Sequence, residues 1–126
     1  MICIYRDEMP VEALPGRGIQ KAVGRDSVVN SEKMTVGYAR YDATYGQMEP
    51  HHHAEETVII MDSCKGWVRY GNSPEELGPR VPLFKGTVLF FPELEWHVFE
   101  YDEGGFVDIA FIYGQVDNIR PEQIQK

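Results

Sequence analysis

Residues 49 to 56 read EPHHHAEE, and three of the four histidines in the chain stand side by side there. Neutral imidazole is a ligand for borderline transition ions, at a Zn–N distance of about 2.0–2.1 Å. On an extended strand, side chains at i and i+2 share a face and lie about 6.6 Å apart along it. His51 and His53 can therefore lean on one ion while His52 points away. Glu56 follows three residues after His53 and can bring a carboxylate oxygen to the same place, as a ligand or as a base. The fourth histidine, His97, lies in the aromatic stretch FFPELEWHVFEY. Taken alone, His97 reads as a hydrogen-bonded core residue and the triple histidine as a solvated loop. A metal site is the other reading of each, and the rest of the sequence decides between them.

Short strands must position them. Gly and Pro punctuate the chain every ten residues or so, which favours strands over long helices. MTVGYARY (34–41) is rich in β-branched and aromatic residues. ETVIIMD (56–62) reads as a strand buried on both faces, and GWVRYG (66–71) as its hairpin partner. GTVLFFP (86–92), EWHVFEY (95–101) and FVDIAFIY (106–113) follow, the last two joined by the turn DEGG (102–105). NSPEELGPRVP (72–82) is a turn-rich loop with room for one helical turn capped by Ser73. The pattern predicts an all-β protein, a sandwich or barrel. Residues 1–30 are expected as edge strands or an arm, 31–115 as the barrel and 116–126 as a tail, all in one domain.

Composition narrows the function. The 126 residues are 43% hydrophobic and 25% charged, an ordinary globular balance. A net charge of −8 repels phosphate backbones and anionic membranes, so neither nucleic acid nor a membrane is an expected partner. No apolar run approaches the 18 or so residues of a membrane helix. The N-terminus turns charged at Arg6 and lacks a signal-peptide core. Cys3 and Cys64 match no paired motif, so a reduced, cytoplasmic protein is expected.

The residues around the histidines resemble the cupin family. Cupins carry two motifs, G-x5-H-x-H-x3,4-E-x6-G and G-x5-P-x-G-x2-H-x3-N, on adjacent strands of a double-stranded β-helix, a jelly-roll barrel. In GTVLFFPELEWHVFEY, Gly86, Pro92 and His97 fall at the family spacing, while Leu94 replaces the inner glycine and Tyr101 the asparagine. The first motif is looser. Four residues separate Gly46 from His51, two separate His53 from Glu56, and nine separate Glu56 from Gly66. His52 has the family distance from Gly46, but its i+2 partner would be Ala54, which binds no metal. His51 with His53 is the chemically more useful pair, and the His52 register is the alternative.

The resemblance implies a metal site of His51, His53, Glu56 and His97, suited to Zn, Ni, Fe, Mn or Co. It implies a small-molecule substrate and isomerase or epimerase, dioxygenase or lyase chemistry; a non-catalytic ligand-binding cupin is the alternative. Glu56, Tyr38 and Tyr113 are the candidate catalytic groups, with Glu95, Tyr101 and Asp108 as further proton carriers. Arg40, Glu95, Trp96, Phe99 and Phe111 are candidates for substrate binding. Apolar stretches in 1–30 and 106–113 offer edge strands, so a homodimer is expected.

Overall fold

The computed structural model describes residues 1 to 114, so the tail expected at 116–126 lies outside them. A short 3-10 turn (Arg6–Glu8) precedes seven strands: β1 (Glu12–Leu14), β2 (Arg17–Val23), β3 (Met34–Tyr41), β4 (Glu56–Gly71), β5 (Val81–Pro82), β6 (Val88–Phe91) and β7 (Trp96–Gly114). They form one antiparallel sheet in the order β1-β2-β3-β7-β4-β5, with β6 also paired to β4. Among the described residues no helix is long and apolar enough to cross a membrane.

Two pairs of expected strands are fused. Segments 56–62 and 66–71 are the 16-residue β4, not a hairpin, and 95–101 and 106–113 are the 19-residue β7. The turn-forming residues at 63–66 and 102–105 face each other across the ladder. Cys64 pairs with Phe106 and Gly66 with Tyr101, so residues 102 to 105 bulge opposite Lys65. Lys65 takes the left-handed backbone at φ 51° to make this corner. Turn residues placed opposite one another bend both strands together and reverse neither. Each bent strand can then serve both walls of a jelly roll. Residues 73 to 76 make a turn closed by Glu76 N–H to the Ser73 carbonyl at 3.1 Å, with no helix.

Alternation decides what faces inward. In β3, Ala39 and Tyr41 are buried while Tyr38 and Arg40 lie on the outer face. β4 alternates as well, with Glu56, Val58 and Ile60 inside and Thr57 and Ile59 half-exposed, which corrects the reading of 56–62 as buried on both faces. Val58, Ile60, Val68, Val98, Phe99, Val107 and Ile109 form the centre of the core.

One ion pair fastens the N-terminal segment to the outer face. Arg6 Nη1 and Nη2 donate to the Asp108 carboxylate at 2.8 and 2.6 Å, and Arg6 Nε donates to Gln20 Oε1 at 3.0 Å. The guanidinium also lies 4.1 Å from the centroid of the Tyr38 ring. Asp108 is buried, so removing its partner leaves an uncompensated carboxylate. Arg6→Ala should therefore cost about 2–3 kcal/mol, somewhat less than a fully buried pair because Arg6 is partly exposed. Adding Asp108→Asn to that variant should recover part of the loss, read as the midpoint of chemical denaturation.

Candidate metal centre

β7 carries His97 inside the barrel, and the loop 42–55 carries the other histidines to it. That loop is not a strand, as the i, i+2 reading assumed; only His51 makes a β-bridge, and its partner is His97. His51 N–H donates to the His97 carbonyl at 3.0 Å and His97 N–H returns the bond at 2.9 Å. Directly opposite residues of such a pair project to the same face. Leu94 N–H donates to the His53 carbonyl at 2.8 Å, bringing the third imidazole round.

The ligating nitrogens of His51, His53 and His97 all lie within 4.8 Å of one another. Each ring turns Nδ1 to a backbone carbonyl: His51 to Glu49 at 3.4 Å, His53 to Ala54 at 3.0 Å and His97 to Glu95 at 3.1 Å. A proton on each Nδ1 leaves each Nε2 lone pair for an ion. The Nε2 of His97 is buried with no hydrogen-bond partner in the protein, as a site built for an ion requires. Glu56 Oε1 lies 3.3 Å from His53 Nε2 and 3.8 Å from His97 Nε2. Adjacent ligands with bonds of about 2.1 Å sit roughly 3.0–3.5 Å apart, so the first separation suits a shared ion and the second needs only a small closure. The residues fit a transition metal.

Electrostatics keep His51 and His97 neutral. Burial, with the neighbouring His97 and His53, pushes His51 down to about 2. Burial and His53 push His97 down to about 4. Burial, reinforced by the charge of Glu56, holds the Tyr41 phenol well above its usual range, so it stays protonated.

The cluster opens into a cavity of about 480 Å³, within the range of small-molecule sites. Of the residues singled out from sequence, His51, His53, Glu56, His97, Phe99, Phe111 and Tyr113 line it. Phe91 stacks on the His97 ring at 3.9 Å between centroids. The others do not reach it. Tyr38 and Arg40 sit one residue out of phase with Ala39 and Tyr41; Tyr38 lies under Arg6, and Arg40 pairs with Asp42 at 2.8 Å. Glu95 contributes its carbonyl to His97 and lies off the cavity. Trp96 packs edge-on against His52 at 4.3 Å outside the cavity, which also takes His52 away from the cluster. Tyr101 donates to the Gly46 carbonyl at 2.9 Å, and Asp108 faces outward to Arg6. Sequence reasoning missed Arg17, Tyr41 and Glu49, which also line the cavity. Arg17 follows the PG turn at the start of β2, where it pairs with Leu14 of β1, and its place at the cavity emerges only from strand pairing. For Tyr41 a signal existed, since it shares the parity of the small buried Ala39.

The motif glycines have a backbone reason. Gly46 and Gly86 take φ of 82° and 90°, and an added Cβ at either would meet nothing within 4 Å, so conformation alone demands glycine. Leu94, at the family's inner glycine, takes the same left-handed region at φ 65°. That costs roughly 1–2 kcal/mol for a residue with Cβ, against roughly 0.5–1 kcal/mol of extra chain entropy for glycine. Leu94→Gly should therefore raise stability by up to about 1 kcal/mol, while the β-branched Leu94→Val should lower it, both read by thermal melting. The neutral His51 and His97 carry a second expectation. Their folded values lie below the ordinary 6.5, so the unfolded chain binds protons that the folded chain refuses. Chelator-treated protein should hold its stability above pH 6.5 and lose it as pH falls towards about 4, by about 1.4 kcal/mol for each pH unit and each histidine. His97→Gln should flatten that slope.

Neither a family model nor a curated protein matches the sequence. Solved structures do. The polyketide cyclase RemF from Streptomyces resistomycificus superposes with a TM-score of 0.73 at 18% identity, over 96% of this chain and 82% of that one. A point variant of oxalate decarboxylase from B. subtilis gives 0.64 at 16% identity, over 89% of this chain and 29% of that one. Hydroxypropylphosphonic acid epoxidase from S. wedmorenis gives 0.63 at 16% identity, over 89% and 58%. At such identities the likeness is one of fold, and all three are cupin-type folds. With the histidines of both motifs meeting inside its jelly-roll barrel, the chain has the cupin fold.

Proposed function

We propose that the protein is a metal-dependent enzyme acting on a small oxygen-bearing molecule, of the isomerase or epimerase, dioxygenase or lyase type. The observation that carries this reading is the gathering of one ring nitrogen from each of His51, His53 and His97 within 4.8 Å, at a small-molecule cavity. His51, His53 and His97 would hold a divalent transition ion, with Glu56 beside them as fourth ligand. The ion, when bound, would supply Lewis acidity towards a substrate oxygen. This donor set accepts Zn, Ni, Fe, Mn or Co.

The chain's own residues supply the rest. Leu14, Ile19, Ile109 and Phe111 make an apolar wall that excludes water and seats a carbon body. Such a wall favours a keto acid or diketone over a sugar. Arg17 is the cation among the cavity-lining residues and would hold an anionic group of the substrate. Tyr113, whose ring centroid lies 5.8 Å from that of His53, would hold or move a proton at its hydroxyl. The scarcity of such groups favours a second reading. With Glu56 on the ion and Tyr41 held protonated, Tyr113 and Glu49 are left as the proton carriers lining the cavity, a short supply that suits a non-catalytic cupin that binds its ligand through the metal. In either case the protein would work in the cytoplasm as a homodimer.

Untagged protein purified without added metal should contain about one transition ion per chain by elemental analysis. His53→Ala combined with His97→Ala should abolish occupancy, and His52→Ala should leave it nearly intact. Loss of occupancy on replacing His52 alone would establish the other register. Arg17→Ala should raise KM for an anionic substrate about tenfold or more with a smaller change in kcat. A metal-free variant that melts far lower, with no turnover of keto acids or diketones by the wild type, would favour the non-catalytic reading.

A further inference from the structure

The outer face of the sheet is divided. One half carries Asp108 and Tyr38 and lies under Arg6. The other half carries two cross-strand rows read directly from the register. Phe90 pairs with Thr57 and Thr57 with Ile112; Val88 pairs with Ile59 and Ile59 with Ala110. None of these six is charged. Val88 is 62% exposed, Phe90 57% and Ile112 37%, and Met34, on the neighbouring β3, is 48% exposed. At roughly 200 Å² for a large side chain, these four alone expose about 400 Å² of apolar surface. That is within the range of the largest patch a monomer shows, and about half of the roughly 800 Å² per partner in a standard interface.

We infer that this half-face is where a second copy of the chain docks, so that two sheets pack face to face about a two-fold axis. The inference rests on the dimeric reading above and names its surface: Ala110 and Ile112 belong to the stretch 106–113 expected as an edge, but β7 is paired on both sides, so it offers a face and not an edge. Charge selects this face. Each chain carries −8, so two copies repel except where neither presents charge. The small Thr57 and Ala110 leave recesses among Phe90, Ile59 and Ile112, and a two-fold contact sets the ridges of one copy into the recesses of the other. A sheet face also meets another sheet at about 10 Å, the geometry of a sandwich interior. The charged rim a stable interface needs is present in the sequence, with Lys33 beside Met34 and Lys85 shortly before Val88.

Sedimentation of the metal-loaded full chain at micromolar concentration tests this. The wild type should run as a dimer. Phe90→Glu and Ile112→Glu, each of which would place a carboxylate in the contact, should raise the dissociation constant by roughly 100-fold or more. Val11→Glu, beside the β1 edge, should not. Unchanged circular dichroism and metal content show that the variants fold. A wild type that sediments only as a 14.4 kDa species would overturn both the dimer and its surface. A wild-type dimer that survives both face substitutions and falls apart with Val11→Glu would overturn the surface alone and place the contact at the edge.

Discussion

Two backbone hydrogen bonds between His51 and His97 join the halves of this protein's chemistry. One histidine belongs to an irregular loop and the other to the longest strand, with 45 residues between them. The reciprocal pair, at 3.0 and 2.9 Å, puts their Cα atoms directly opposite and their rings 4.4 Å apart. Everything else in the fold can be understood as holding that pair in register. β4 and β7 must bend at the same corner, because a slip of one residue along β7 would send His97 to the outer face and bring Trp96 inward.

The loop that carries His51 and His53 has almost no regular structure, yet four contacts from one neighbourhood of β7 pin it. Tyr101 Oη donates to the Gly46 carbonyl, and Phe99 N–H donates to Met48 Sδ at 3.3 Å. His97 holds His51, and Leu94 N–H holds His53. All four anchors lie between residues 94 and 101. The histidines are thereby fixed by the same short segment that supplies the third of them, which is what a preorganised set of ligands requires. Tyr101 occupies the position where the family motif has asparagine, and its side chain still serves the structure by closing the loop.

Much of this was legible in the sequence, and the misses share a cause. β-branched and aromatic content located β3 to the residue, and the spacing of the second motif pointed to His97; His51 and His53 came from the chemistry of a paired donor set, against a first-motif spacing that favours His52, and the fold gathers the nitrogens of all three. The fused strands were not legible because the SCKG and DEGG stretches signal turns locally, whereas a turn opposite a turn makes a corner. That fact is pairwise and belongs to no single segment. Phase was the other limit. Tyr38 and Arg40 have the right residue types on the right strand, one residue away from the inward parity. Arg17 faces the cavity from a strand whose sequence, RGIQKAV, does not alternate cleanly.

Three imidazoles packed this closely are an expensive arrangement for the protein by itself. Burial disfavours the charged forms of His51 and His97, and the Nε2 of His97 forgoes a hydrogen bond whose loss costs about 1–3 kcal/mol. Leu94 adds backbone strain within three residues of His97. A core that wanted only stability would place leucine or phenylalanine at these positions, as it places apolar side chains at Phe99, Ile109 and Phe111 around them. These departures from ordinary packing gather at one point, and that point is where the ring nitrogens converge. Sequences depart from local consistency chiefly where function demands it. A bound ion would offset that cost, because binding to the folded state alone adds its own free energy to folding. Stability and metal occupancy would then be linked through the same three nitrogens, and the loop 42–55, ordered by anchors that converge on them, would be the part of the barrel most directly tightened.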